Sequence, residues 1–343
     1  MISDIKFSLP LWPGLSPEEI EGELYPFLDE CADVIADLYF TARIPPFNTD
    51  AMGGLLVEDE IETVISNAII IGETFGIPVS ATFNNVQVNP SYENYLLFVK
   101  NFRPYFERGV KIITIPHTSW LKFGLKDEFP GLFVKNTILN KVNTAAEVAE
   151  LFAAGFDYIN LDRNLVRDES TLAEIARAKK VMSERLGKDL YLSLLYNEMC
   201  ANNCSVQQDH YRFNLQRTFS GKTFFASELG RVAPCKATTA NDAAWVLKSA
   251  SVPSFYSQLH RLSGLVDVFK MHGREDKQVF YDSLNIIRSF VRRQPIVDPY
   301  RKIFDRLSEN DRKLWEATIR KCKFNCWKCA LCDTLANKLK ESK

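Results

Sequence analysis

The chain has 343 residues, 46% of them hydrophobic and 25% charged, with a net charge of −1. That balance excludes a disordered chain and wholesale polyanion binding, and the length suits one large barrel with an appendage. The opening residues lack a basic segment followed by an apolar run, and no stretch reaches the ~18 continuous apolar residues of a membrane helix, so the chain reads as cytoplasmic with no membrane partner. In a reducing compartment its eight cysteines point to metal ligation rather than disulfides.

Apolar, β-branched runs alternate with helical patterns along the chain. Residues 5–11 and 33–42 are predicted strands. A helix is expected over residues 57–75, where Ile61, Val64, Ile65 and Ala68 are spaced for one face. Strands at 77–83 and 110–115 flank a helix at 92–107. A strand at 133–139 precedes a helix at 145–154, opened by Asn143 or Thr144, with Glu147 completing a capping box on Thr144. Strands at 156–161, 190–195 and 266–271, with helices at 170–186 and 278–291, complete the series. Strands separated by helices predict parallel βαβ units, and about eight of them fit a (β/α)8 TIM-type barrel with functional groups at the strand C-terminal ends. An open doubly wound sheet is the alternative, but no G-x-G-x-x-G follows the first strand.

Two regions break this rhythm. Residues 197–245 read as a cysteine-bearing insertion in a barrel domain spanning 1–294, and loops of that length are usually functional. Residues 295–343 read as a C-terminal helical, cysteine-rich extension, with a helix over 308–321 capped by Ser308. From residue 288 onward, 15 Lys and Arg face 7 Asp and Glu. A solvated basic face is the ordinary reading; RNA or an acidic partner is the sharper one.

The extension carries Cys322, Cys326, Cys329 and Cys332 in the spacing C-x3-C-x2-C-x2-C. Such a compact four-cysteine run points to a 4Fe–4S cluster, with zinc as the alternative, since zinc sites usually split their thiols into two separated pairs. The first three thiols share the spacing of radical S-adenosylmethionine enzymes, but a fourth cysteine follows and the motif lies at the wrong end of the barrel. A second set, Cys200 and Cys204 with Cys235 downstream, leaves the C-terminal end of a strand, where a barrel places its chemistry. Three thiols leave a fourth position to His210, a substrate, a water or another thiol such as Cys31. The tail set would then be an electron relay or a structural pin.

Polar residues recur at successive predicted strand ends, with Lys135 and Asn136 on a strand: Arg43, Asn84, Asn85, His117, Asp162, Arg163, Asn164, Lys270, His272 and Arg274. Arg43, Arg163 and Arg274 suit a small molecule bearing a carboxylate, because guanidinium pairs with it bidentately. Glu198, His210 and His272 are acid–base candidates. Singly, each of these residues has an ordinary structural explanation, an ion pair or a capped loop. No G-x-S-x-G or other hydrolytic triad is evident.

The stretch from Asn197 and Glu198 through Cys200 and Cys204 to His210 and Tyr211 resembles the cysteine–histidine signature of the peptidase U32 (collagenase-like) family. The runs Val134 to Ile138, Thr144 to Val148, Asp157 to Asp168 and Val266 to Arg274 are similar to that family's barrel segments. The resemblance extends over roughly residues 6–291. The resemblance implies a barrel with a cysteine-bound 4Fe–4S cluster, in a family whose better-understood relatives hydroxylate RNA bases or quinone precursors without molecular oxygen. It therefore implies an iron–sulfur enzyme performing an oxygen-independent oxidation, hydroxylation or related group transfer on a small-molecule or nucleobase-like substrate. One cluster or two, and an electron donor or partner subunit, would go with it. A metal-stabilised, non-catalytic scaffold subunit and a peptidase are the competing readings. The chain departs from the family in matching only three of four clustered barrel cysteines and in adding the tail four-cysteine run.

Overall fold

The computed structural model describes residues 5–49, 58–197, 207–209, 243–249, 256–274, 277–295 and 301–341. Eight strands close into one barrel in chain order: β1 Lys6–Pro10, β2 Ile35–Thr41, β3 Val79–Thr82, β4 Ile112–Ile115, β5 Phe133–Asn136, β6 Tyr158–Asn160, β7 Tyr191–Leu195 and β8 Val268–Lys270. Every neighbouring pair is parallel, and β8 closes on β1 with Lys270 opposite Ser8. The architecture is a (β/α)8 barrel; the doubly wound alternative is excluded by closure. All eight strands lie within the predicted segments, but each is shorter. The trimmed residues still make ladder bonds: Leu11 N donates to Tyr39 O at 2.8 Å and Phe83 N to Thr114 O at 2.9 Å.

The helices follow the predicted pattern with local corrections. Tyr92–Glu107 has the predicted bounds, and Thr144, rather than Asn143, caps Ala145–Ala153 in a capping box with Glu147. Glu169–Leu186 starts one residue earlier than predicted because Asp168 is its N-cap, its side chain accepting from Thr171 N. The sequence pattern predicts no helix between the first two strands, yet Pro17–Glu19, Ile20–Leu24 and Tyr25–Cys31 form a continuous helical crossover opened by a Ser16–Glu19 capping box. Ile20, Leu24, Phe27, Leu28 and Cys31 are its buried face.

The strand register sorts residues into two sets. Phe7, Leu9, Leu38, Phe40, Ile113, Val134, Ile159, Leu192, Leu194 and Phe269 are fully buried, or nearly so, in the main core. The alternate residues turn inward, because Asp37 on β2 meets Lys135 on β5, a strand three places away. This inward set includes Ser8, Tyr39, Thr41, Ser80, Thr82, Thr114, Tyr158, Asn160, Ser193 and Lys270, since residues in register share a face. Barrel interiors are ordinarily filled by Val, Ile and Leu; here the interior is largely polar.

A second core lies outside the barrel. Trp245, Val246 and Leu247 pack with Ile303, Phe304, Leu307, Trp315, Ile319, Leu335 and Leu339. Thus helix Ala243–Lys248, from the segment joining β7 to β8, is covered by tail helices Arg301–Asp305, Glu309–Ile319 and Leu331–Glu341. No described helix is long and apolar enough to cross a membrane.

Candidate functional site

The polar interior converges on a buried ion pair. Lys135 Nζ lies 2.7 Å from Asp37 Oδ2, each side chain no more than 3% exposed, and the ammonium sits 4.4 Å from the centre of the Tyr158 ring. Burial pushes the Lys135 ammonium down and Asp37 opposes that shift; burial also drives the Tyr158 hydroxyl well up, keeping it protonated. Beside this pair, Ser193 Oγ donates to Asn160 Oδ1 at 2.8 Å. Asn160 N donates to Asn136 Oδ1 at 2.6 Å, which locks the ends of β5 and β6 together.

At the strand C-terminal ends, two cations flank one ring. Lys270 Nζ lies 4.4 Å and the Arg274 guanidinium 5.2 Å from the Tyr39 ring centre, and the Tyr39 hydroxyl donates to Met271 O. Arg274 Nη1 also donates to Thr41 Oγ1 at 2.8 Å. His272 is held by its backbone, its N–H donating to Asn197 Oδ1 at 2.6 Å and its carbonyl accepting from Ser283 Oγ at 2.6 Å. Arg163 is buried at the start of the turn after β6. His117, after β4, is stacked on Phe47 at 5.9 Å, and burial pushes its imidazole down to about 4. It is therefore neutral near pH 7, a packed histidine and not a proton carrier there. Glu198, Cys200, Cys204, His210 and Cys235 lie outside the described residues.

The tail thiols form a distinct site. Cys322, Cys326, Cys329 and Cys332 line one pocket, of about 350 Å³ including space open to solvent, together with Arg167, Lys248, Trp315 and Asn325. Two local turns bring the thiols there: Lys323 and Phe324 adopt left-handed φ of 48° and 54°, and Cys326–Lys328 is a 3-10 turn. Arg167, from the turn after β6, reaches in from the barrel. Its Nη2 donates to the carbonyls of Leu247 and Ser249 at 2.8 and 2.7 Å, and its guanidinium lies 4.6 Å from the Phe324 ring centre. Leu247 O also accepts from Trp315 Nε1 and from the Cys332 thiol, at 3.2 and 3.4 Å. Burial pushes the Cys326 thiol up, against Lys248 and Arg167; burial likewise pushes the Cys332 thiol up, against Arg167.

Arg167 is the feature that sequence reasoning missed. It is 2% exposed, no carboxylate among the described residues pairs with it, and its Nε has no hydrogen-bond partner among them. A buried guanidinium ordinarily sits against an anion. Four thiols that deprotonate on metal binding would supply one. As they stand, no three His, Cys, Asp or Glu side chains among the described residues are arranged to hold a metal ion. Loading would have to draw the sulfurs inward.

No protein-family model and no curated protein matches the sequence. Several solved structures are similar. A U32 peptidase is 13% identical, with 79% of this chain and 95% of that chain covered and a TM-score of 0.49. A tetrameric deoxyribose phosphate aldolase from Aeropyrum pernix is 12% identical, covering 56% and 76%, with a TM-score of 0.35. An O-GlcNAc hydrolase mutant from Thermobaculum terrenum is 12% identical, covering 92% and 65%, with a TM-score of 0.38. These likenesses concern fold and carry nothing about substrate or reaction. The closed sheet itself establishes the barrel.

Proposed function

We propose that this chain is an iron–sulfur barrel enzyme, with Cys322, Cys326, Cys329 and Cys332 holding a 4Fe–4S cluster. The supporting observation is the shared pocket: four thiols beside a buried guanidinium that has no carboxylate partner among the described residues. Such a cluster supplies one-electron transfer and is anionic when bound by four thiolates. Arg167 and Lys248 then offset that charge, and Trp315 and Leu331 limit water at the sulfurs. Cys200, Cys204 and Cys235 form a second candidate set, nearer the barrel mouth by sequence.

The chemistry we assign to the mouth is an oxygen-independent oxidation, hydroxylation or related group transfer on a small molecule, with electrons from a separate donor or partner subunit. Lys270 and Arg274 would orient a carboxylate on that molecule, and Glu198, His210 or His272 would move protons. Anaerobically prepared wild-type, Cys326→Ala and Cys200→Ala proteins, reduced and compared by electron paramagnetic resonance, test the assignment. Loss of one signal in Cys326→Ala supports a tail cluster; an unchanged spectrum with unchanged iron removes it.

A zinc-stabilised scaffold is the second reading. It draws on the second core, which already pins the tail against helix Ala243–Lys248. The peptidase reading rests on a family name alone. RNA contact draws on Trp327, 83% exposed beside Lys328. It predicts that removing the tail lowers both RNA affinity and its salt dependence.

A further inference from the structure

The tail thiol site has a sealed side and an open side. Its inner wall is Arg167, Trp315 and Ile319, all buried, and the Cys332 thiol is turned that way, donating to Leu247 O. Its outer edge is the turn Cys326–Lys328, where Cys326, Trp327 and Lys328 are all exposed. Trp327 is the most exposed large hydrophobic side chain among the described residues. Its ring is flanked by Lys328 Nζ, 5.3 Å from the ring centre. Tryptophan is the residue type that most often anchors a protein–protein contact, because its large ring gains much from burial.

The charge along this edge has one sign. Residues 317–332 include Arg320, Lys321, Lys323 and Lys328 and no acidic residue. Arg320 and Lys323 are answered by Glu169 and Asp168, at 3.1 and 2.9 Å. Lys321 and Lys328 are exposed, pair with no carboxylate among the described residues, and each adjoins a thiol of the site in sequence, Cys322 and Cys329. An acidic protein surface with an apolar centre complements such an edge. A nucleic acid is the poorer match, because its binding rests on neutralising several phosphates and two unpaired cations neutralise few. Complexes of electron carriers are small and weak, and charge steers them together. With the inner wall sealed, the exposed edge is where an electron can reach the sulfurs from outside.

We infer that the edge around Trp327 is the docking site of an acidic one-electron carrier protein, which lays an apolar patch on Trp327 and sets carboxylates against Lys321 and Lys328. The inference rests on the tail cluster of the proposed function and names the partner of that site. One electron leaves the reduced carrier, which is oxidised, and enters the cluster, which is reduced; no bond forms or breaks and no proton moves.

The test uses the full chain, prepared anaerobically, with an acidic plant-type ferredoxin and an acidic flavodoxin as probes. Binding of the oxidised probes is read by biolayer interferometry. Electron entry is read by stopped-flow bleaching of the cluster absorbance with the reduced probes, and dithionite serves as a reductant that needs no docking. At least one carrier is expected to bind, less tightly as salt is raised. Trp327→Ala should weaken that binding about tenfold or more, and Lys321→Glu combined with Lys328→Glu by at least about tenfold. Reduction by the carrier should slow in step, while iron content, melting temperature and the dithionite rate hold. The double lysine variant leaves the turn intact, so it decides the matter if Trp327→Ala loses iron. A chain without iron, sulfide or a dithionite-bleached band sinks the iron–sulfur reading and this inference with it. A cluster that dithionite reduces, in a chain that binds neither carrier or binds them equally well in every variant, overturns the inference alone. Tighter binding of a single-stranded RNA oligonucleotide than of either carrier, lost in Trp327→Ala, overturns it in favour of RNA.

Discussion

Lys135 and Asp37 are 98 positions apart in the chain and 2.7 Å apart in the barrel. Removing one partner of such a pair strands the other charge, so Lys135→Met or Asp37→Asn should each lower stability by ~3–5 kcal/mol in chemical denaturation, whereas Lys135→Met combined with Asp37→Leu should lose less. His117 gives the molecule an acid limb. Its imidazole titrates at about 4 when folded and at about 6.5 when unfolded. Between those values the unfolded chain binds the extra proton. Stability is thus full above about pH 6.5 and declines as pH falls towards 4, by ~3 kcal/mol at most. His117→Leu should flatten that part of the stability–pH curve; an unchanged acid limb would show that His117 does not cause it. Lys135 and His117 are both visible in the sequence as polar positions on or after strands. Their surroundings are not, because barrel closure, not chain proximity, selects them.

Asp168 links an element of the barrel to the tail. It caps helix Glu169–Leu186, and Lys323 Nζ lies 2.9 Å from its Oδ2. Burial alone would raise its carboxyl, but hydrogen bonds from Ser170, Thr171 and Lys323 outweigh that and hold it down at about 2. The stabilisation it gives is present above about pH 4 and is lost as pH falls towards 2. Asp168→Ala should cost ~1 kcal/mol through the lost cap and raise hydrogen exchange in Glu309–Ile319 more than in the barrel strands. Equal exchange in both would contradict a docking role. The capping signals at Thr144 and Ser308 are legible in the sequence because they are local. The crossover at Pro17–Cys31 is equally local, with apolar residues at 20, 24, 27, 28 and 31. Pro17 and Pro26 mask it as breakers, although Pro17 occupies the first turn, where proline is tolerated, and Pro26 follows the π-helical stretch Ile20–Leu24.

At the scale of the whole molecule, two cores meet through Arg167. The barrel is readable from strand and helix alternation, since parallel strands need crossover helices. The second core is not, because it joins residues 243–247 to residues 303–339 and neither segment shows its partner. Trp315 is fully buried at its centre. Trp315→Ala should cost ~3–5 kcal/mol and release the tail before the barrel, seen as a new early step in thermal unfolding. A single unchanged transition would show that the two cores melt as one.

The spacing of the four tail cysteines is the sharpest signal in the sequence, and the fold adds a buried cation to it that no motif predicts. The most direct measurement is iron, sulfide and zinc content of the anaerobically purified chain, alongside Cys326→Ala. The iron–sulfur reading predicts about four irons and about four sulfides per chain for one cluster, and about twice that for two. It also predicts a loss of about one cluster's worth in Cys326→Ala. Stoichiometric zinc without sulfide would contradict it.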